Sequence, residues 1–288
     1  MSKIRFVTDS TSDIPLEIRE KYNIEMVPLK VHFGQEVFLD AITIQSNEFY
    51  EKLAGSEVLP TTSQPSPVDF LKVYKKIYEE DPNCTIISIH LSSAMSGTYQ
   101  SAVLAKSLLD EESDLRIVDA RSASYGIGVL MIEAVKAYEN GKNAKEILEV
   151  VAKLRQDMRV YFLVDTLEYL QKGGRIGKAA SVVGSLLNIK PILSIDDEGE
   201  ITSIDKVRGK KKAINRIVDL LREDFSNTED VDMIMIHSND VSSAEDFSQL
   251  LKEQFQVHNV KFTSLSPVVG THVGPGTLAV IMRPRSNE

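Results

Sequence analysis

Apolar, β-branched runs alternate along the chain with stretches whose hydrophobic positions recur at helical spacing. Ile4-Arg5-Phe6-Val7, Thr85-Ile86-Ile87-Ser88-Ile89 and Leu115-Arg116-Ile117-Val118-Asp119 have the length and composition of buried strands. Each leads through a polar loop into a helical pattern. Pro15 stands where a helix to Tyr22 would begin, an alanine- and leucine-rich segment runs to Leu109, and a third pattern reaches about Asn140, where Gly141 ends it. A helix over 144–157 closes this half. Between the first two strands, Met26-Val27-Pro28-Leu29-Lys30-Val31 and Glu36-Val37-Phe38-Leu39 read as strands, with Pro28 implying an edge. A short helix follows over 46–53, and Ser66 with Pro67 forms an N-cap and first-turn pair for a helix to Glu79. Thr61, Thr62 and Ser63, between Pro60 and Pro65, read as a stiff loop. The alternation predicts an α/β fold with a doubly wound, mostly parallel sheet, whose polar loops gather at the carboxyl ends of its strands.

The pattern changes near Arg159. Val160-Tyr161-Phe162-Leu163-Val164 is a strand and Leu167-Glu168-Tyr169-Leu170 a helical turn. Ile192-Leu193-Ser194-Ile195 and Ile201-Thr202-Ser203-Ile204 flank Asp196-Asp197-Glu198-Gly199 as a hairpin. Further strands fall at 233–236, 260–265 and 278–282, and helices at 211–224 and 244–254. The stretch from Gly270 to Thr277 is rich in glycine and reads as a loop. These elements predict a second α/β domain with an antiparallel or mixed sheet and helices on one face, so the chain divides into domains 1–157 and 158–288.

With 288 residues, 42% hydrophobic and 26% charged, the chain can bury a substantial core as a soluble globular protein. It lacks the run of roughly 20 apolar residues that spans a bilayer. Met1 and Ser2 lead straight into a strand rather than a signal peptide, which implies a cytoplasmic protein. The single cysteine, Cys84, rules out an internal disulfide framework and an all-cysteine metal site. A net charge of −9 argues against nucleic acid as the main partner, so any anion site has to be built locally.

Candidate chemistry concentrates in the loop after the second core strand, Leu91-Ser92-Ser93-Ala94-Met95-Ser96-Gly97-Thr98-Tyr99-Gln100-Ser101-Ala102. Ser93, Ser96 and Thr98 offer hydroxyls, Gly97 permits close approach, and the helix that follows presents unpaired N–H groups. That combination suits a carboxylate or phosphate, although Ser93 or Ser96 can equally cap the helix. Asp9 can hold a metal, orient a hydroxyl or cap its own helix. Gly126 and Gly128 lack a third glycine at Met131, and the run Lys172-Gly173-Gly174-Arg175-Ile176-Gly177-Lys178 lacks the first glycine and the Ser or Thr of a phosphate-binding loop. Lys206, Arg208, Lys210, Lys211, Lys212 and Arg216 form a basic cluster in an acidic chain, either a solvated face or a docking surface for an anionic partner. His272, among glycines, can serve as structure or approach a ligand closely. A stand-alone enzyme acting on a phosphate or ester through Ser93 or Ser96, with His272 as base and Asp9 as orienter, is the competing reading. The glycine required two places before such a serine is missing.

Taken together, Asp9-Ser10-Thr11-Ser12-Asp13, Thr62-Ser63-Gln64-Pro65-Ser66, the Ser92 to Ala102 loop, Lys172-Gly173-Gly174-Arg175-Ile176, Lys190-Pro191-Ile192-Leu193 and His272-Val273-Gly274-Pro275-Gly276 resemble the DegV family across nearly the whole chain. Met95 replaces a leucine common in the family pattern, a volume-conserving change. The resemblance implies two domains with a long-chain fatty acid buried between them. It implies that Thr62, Ser93 and His272 hold the carboxylate, with Ser96 and Gly97 lining the head-group pocket. It also implies a fatty-acid-binding subunit with no catalytic machinery, metal or cofactor of its own, which presents the acid to an ATP-binding fatty acid kinase subunit. That subunit would form acyl phosphate for phospholipid synthesis, docking through Arg208 with Lys206 and Lys210 nearby. A transient contact with a membrane surface fits the same role.

Overall fold

The structure is a computed structural model that describes residues 3–184, 188–226 and 230–285; Met1 and Ser2 lie outside them. In chain order the first half forms β1 (Ile4–Asp9), α1 (Leu16–Lys21), β2 (Ile24–Val27), β3 (Lys30–Phe33), β4 (Glu36–Leu39), α2 (Ser46–Ala54), β5 (Thr61–Ser63), α3 (Pro67–Glu80), β6 (Thr85–His90), α4 (Thr98–Lys106), β7 (Leu115–Asp119), α5 (Tyr125–Glu139) and α6 (Ala144–Asp157). The second half forms β8 (Arg159–Leu163), α7 (Glu168–Lys172), β9 (Ile189–Ile195), β10 (Ile201–Arg208), α8 (Lys210–Asp224), β11 (Asp230–His237), α9 (Val241–Lys252), β12 (Gln256–Ser264), α10 (Pro267–Val273) and β13 (Leu278–Pro284).

The first sheet has the order β2-β1-β6-β7 and is parallel throughout. Its central strands read as continuous apolar runs because both faces are covered. Val7 and Ile86 pack against Phe70, Tyr74 and Ile77 of α3 and Ala102 of α4. The alternate residues Phe6, Ile87 and Ile89 belong to the core that contains Ile127, Leu130 and Ala134 of α5. Helix α3 starts where its sequence directs: the Ser66 hydroxyl accepts from the Asp69 N–H, and the Asp69 carboxylate accepts from the Ser66 N–H, with Pro67 in the first turn.

The second sheet has the order β10-β9-β8-β13-β11-β12 and is mixed, with only β11 and β12 parallel. One face carries Tyr161, Leu163, Met233, Met235 and Val280 against Ile217 and Leu221 of α8 and Phe247 and Leu251 of α9. The opposite face presents Phe162, Ile234, Ile236, Ala279 and Ile281 to the first half, within the same core cluster as α5. Two sheets in two domains therefore share one interior, and the site lies along that seam.

Three local expectations are corrected. The strand read over 26–31 breaks at Pro28: β2 joins the edge of the parallel sheet, while β3 turns into a separate antiparallel sheet of order β4-β3-β5. Thr61, Thr62 and Ser63 form a strand rather than a loop, paired with His32, Val31 and Lys30 of β3. The stretch around His272 begins as a helix, α10, rather than running as a glycine-rich loop.

Candidate functional site

The loops after β1, β6 and β7 converge at the carboxyl ends of the parallel sheet, as a doubly wound topology dictates. Together with the inner face of the second sheet they enclose a cavity of about 430 Å³, within the ~300–1,000 Å³ usual for small-ligand pockets. Strand alternation explains its floor. Phe162 on β8 faces Ala279 on β13, Ala279 faces Ile236 on β11, and the next inward row is Val160 opposite Ile281. Helix α10 supplies Val268, Val269 and Val273, so an apolar surface runs from the sheet around one side.

Polar groups gather where β5, α7 and α10 meet. Thr62 Oγ1 and His272 Nε2 share a hydrogen bond of 2.8 Å, and both line the cavity with Ser63, Gln64, Ser96 and Arg175. Strand β5 fixes Thr62 through its register opposite Val31. His272 lies in the last turn of α10 and packs on the backbone of Gly173, where any Cβ would collide with the imidazole. Its Nδ1 has no hydrogen-bond partner among the described residues. Burial, followed by the charge of Arg175, pushes the His272 pKa down to about 4, so the imidazole is neutral near pH 7. Arg175 bridges the domains: its Nε donates to the Met95 carbonyl at 3.0 Å and its Nη1 to the Gly173 carbonyl at 2.7 Å. A fixed guanidinium, a hydroxyl and an imidazole at the end of a greasy cavity form a receptor for an amphipathic anion.

The other residues singled out in the sequence take different places. Ser96 lines the cavity beside Met95 and its hydroxyl hydrogen-bonds Thr98 Oγ1 at 2.9 Å. Ser93 belongs to the same loop, but its hydroxyl donates to Asp119 Oδ2 at 2.5 Å and its N–H to Asp119 Oδ1 at 3.2 Å. Gly97 leaves room for the Gln64 side chain, which donates to Ser101 Oγ at 3.1 Å. Asp9 caps the turn at Ser10–Ser12 and also accepts from Leu91 N and His90 Nδ1, at 3.0 and 3.1 Å. It therefore joins the β1 and β6 loops rather than orienting His272, and the serine, His272 and Asp9 of the competing hydrolase reading do not assemble. Among the described residues no group of three or more His, Cys, Asp or Glu is placed to hold a metal.

The basic cluster lies on β10, an edge strand, and on the first turn of α8. Lys206, Arg208, Lys211 and Lys212 are exposed. Lys210 lies 3.8 Å from Asp240, and Arg216 is committed to Asp205 and Glu223 at 2.7 and 3.0 Å. Arg175 stood in a family motif without a legible role, and the floor of the second sheet carried no legible site signal in the sequence. One signal for α10 was present: Ser266-Pro267 repeats the cap-and-proline pair that marks α3.

Comparison with known proteins agrees with the fold. The family model described as "Uncharacterised protein, DegV family" matches residues 3–285. A DegV domain-containing protein of Clostridium acetobutylicum is 37% identical over 282 residues, covering 98% of this chain and 99% of its own. Among solved structures, a DegV family protein of Thermus thermophilus, described for its fatty acid binding, superposes with a TM-score of 0.92 at 34% identity over 98% of this chain and 100% of its own. DegV of Bacillus subtilis, described as a fatty acid binding protein, gives 0.88 at 34% identity over 99% and 100%. The chain is a member of the DegV family.

Proposed function

We propose that the chain binds a long-chain fatty acid in the cavity, with the carboxylate at the Thr62, His272 and Arg175 end and the alkyl tail along the floor formed by β8, β13 and β11. The observation that carries this reading is the Thr62–His272 hydrogen bond among the polar residues of a mostly apolar cavity of about 430 Å³. Fatty acid binding by the Thermus thermophilus and Bacillus subtilis relatives supports it. Each buried methylene contributes about 0.8 kcal/mol, so a long chain gives on the order of 10 kcal/mol before ordering costs. The tail supplies affinity and the polar end supplies orientation. Ser93 shares the loop of Ser96 but does not line the cavity, and its hydroxyl would have to leave Asp119 before it could serve the carboxylate.

In this reading the chain presents the carboxylate to a separate ATP-dependent kinase subunit, which phosphorylates it to acyl phosphate. Phosphoryl transfer demands mostly positioning and charge stabilisation, and the partner brings the nucleotide. The exposed Lys206 and Arg208, with Lys210 beside them, form the docking face. Mass spectrometry of the purified protein under native conditions tests the ligand: a retained long-chain fatty acid is expected, and its loss from Thr62→Val and His272→Gln variants that still fold. Turnover of an activated ester by the chain alone, abolished in Ser93→Ala, would instead favour the enzyme reading.

A further inference from the structure

Two carboxyls from the first domain reach the start of α10, and neither is explained by ligand contact. Asp13 follows the turn after β1 and Asp40 follows β4. Asp13 Oδ1 accepts from the Ser266 N–H at 3.2 Å, and its other oxygen accepts from the Ser124 hydroxyl. Asp40 Oδ1 accepts from the Val268 N–H at 3.2 Å. Asp40 is fully buried, while Asp13 lies at the bottom of a cleft, surrounded by protein though partly open to solvent. Around the pair stand Asp9 from β1, Tyr50 from α2, and the Ser266 and Ser124 hydroxyls; Arg19 and Glu25 line the same cleft as Asp13. Among the described residues no ion pair reaches either carboxyl, and no cation is among the leading influences on their protonation. Asp40 Oδ2 and the Ser266 hydroxyl make no well-aligned hydrogen bond among the described residues, although the Ser10 and Ser266 hydroxyls lie beside Asp40.

A neutral carboxylic acid still offers an acceptor oxygen to the Ser266 and Val268 N–H groups, although a carboxylate accepts more strongly, so burial and the neighbouring carboxyls, not these bonds, favour the proton. A proton on Asp40 would also turn its second oxygen into a donor. Two ionised carboxylates would instead bring like charges together beside Asp9, in surroundings that screen them poorly. We propose that Asp13 and Asp40 are positioning residues that seat α10, and with it His272, most firmly while at least one of them is protonated, so that the hold on the ligand loosens as pH rises. The inference rests on the reading of α10 as the head-group helix.

The direction follows from linkage. Burial raises the pKa of Asp40 to about 7, and burial with the charge of Asp40 raises that of Asp13 to about 8. The folded chain therefore keeps protons that the unfolded chain sheds near its ordinary carboxyl pKa. Stability from this pair is fully present below that value and falls as pH rises toward the folded values.

Thermal unfolding and amide hydrogen exchange of α10 are to be measured on lipid-free and lipid-loaded full chain from about pH 6 to about pH 9. The native chain should lose stability and α10 protection across that range, and should release fatty acid about five- to tenfold faster at the alkaline end. Asp13→Asn and Asp40→Asn, which keep the acceptor oxygen without the charge, should flatten these profiles. Asparagine variants with the native slope, or α10 exchange that ignores pH, would overturn the proposal. Should the variants fail to fold, carboxyl infrared bands of the native chain decide: a protonated buried acid at about pH 6 is expected, and two ionised ones would refute it. A chain that binds no fatty acid would fail the functional reading alone, because the lipid-free arm still reports on the seat of α10.

Discussion

Thr62 and His272 lie 210 positions apart in the chain and share one hydrogen bond. That contact is the only hydrogen bond of the imidazole among the described residues, since Nδ1 has none there. Because burial and Arg175 push the imidazole down to about 4, it stays neutral in the lipid-free protein. A carboxylate arriving opposite it favours the charged form and has to raise that value. A histidine NMR titration should therefore place His272 well below an ordinary histidine without ligand and move it upward with fatty acid bound; an ordinary value in the lipid-free protein would contradict this. Between the ordinary histidine value and about 4, the unfolded chain binds a proton that the folded one refuses, so His272 costs stability as pH falls through that window. Thr62→Val removes the partner of a buried imidazole and should weaken fatty acid binding by about 1–3 kcal/mol, read by calorimetry. Thr62 and His272 were open to a ligand role from their residue types and surroundings, and only the family motifs pointed to a shared site. Their residue types alone allowed a loop hydroxyl and a structural histidine, because the contact that defines them depends on two distant strands and a helix.

At the scale of elements, α10 is the part that moves the site into place. Its glycine at position 270 lets α10 pack closely on Tyr50 and Phe49 of α2, and the His272 imidazole packs on Gly173 at the end of α7. Gly173→Ala should push His272 off its seat and cost about 1–3 kcal/mol in stability, with a larger loss of ligand retention; denaturant unfolding and lipid retention together measure it. The sequence pattern revealed the core strands β1, β6 and β7 because continuous β-branched runs are what a doubly covered parallel sheet requires. It concealed β5, whose Thr-Thr-Ser segment has no apolar alternation and joins β3 through the backbone ladder and the Ser63–His32 side-chain hydrogen bond of 2.8 Å. It concealed α10 as well, since glycine at 270 lowers helix propensity that tertiary packing overrides.

Across the whole molecule, the two domains are joined by a continuous core and by specific polar contacts. Arg283 of β13 donates to Glu133 of α5 and to Asp232 of β11, both at 3.1 Å and all largely buried. The Ser92 hydroxyl donates to the carbonyl of Gly199 at 2.8 Å, where the β9–β10 turn has φ of +83° and no space for a side chain. Glu133→Ala would leave Arg283 with half its partners in a buried setting and should destabilise the fold by about 3–5 kcal/mol in urea unfolding. If the outer face docks the proposed kinase subunit, Arg208→Glu should weaken acyl phosphate formation by the reconstituted pair, most at low ionic strength, while leaving fatty acid content unchanged. The sequence announced that face, since charge on a surface is legible without a fold. The cavity was not legible, because its walls come from many separate segments and no spacing rule connects Phe162 to Ala279.

The most direct test of the account is a crystal structure of the lipid-loaded chain. It should place a fatty acid carboxylate within roughly 2.6–3.2 Å of Thr62 Oγ1 and the His272 ring nitrogen that now bonds it, with the alkyl chain over Ala279 and Phe162. A carboxylate held elsewhere, or an interior closed to the alkyl chain, would contradict it.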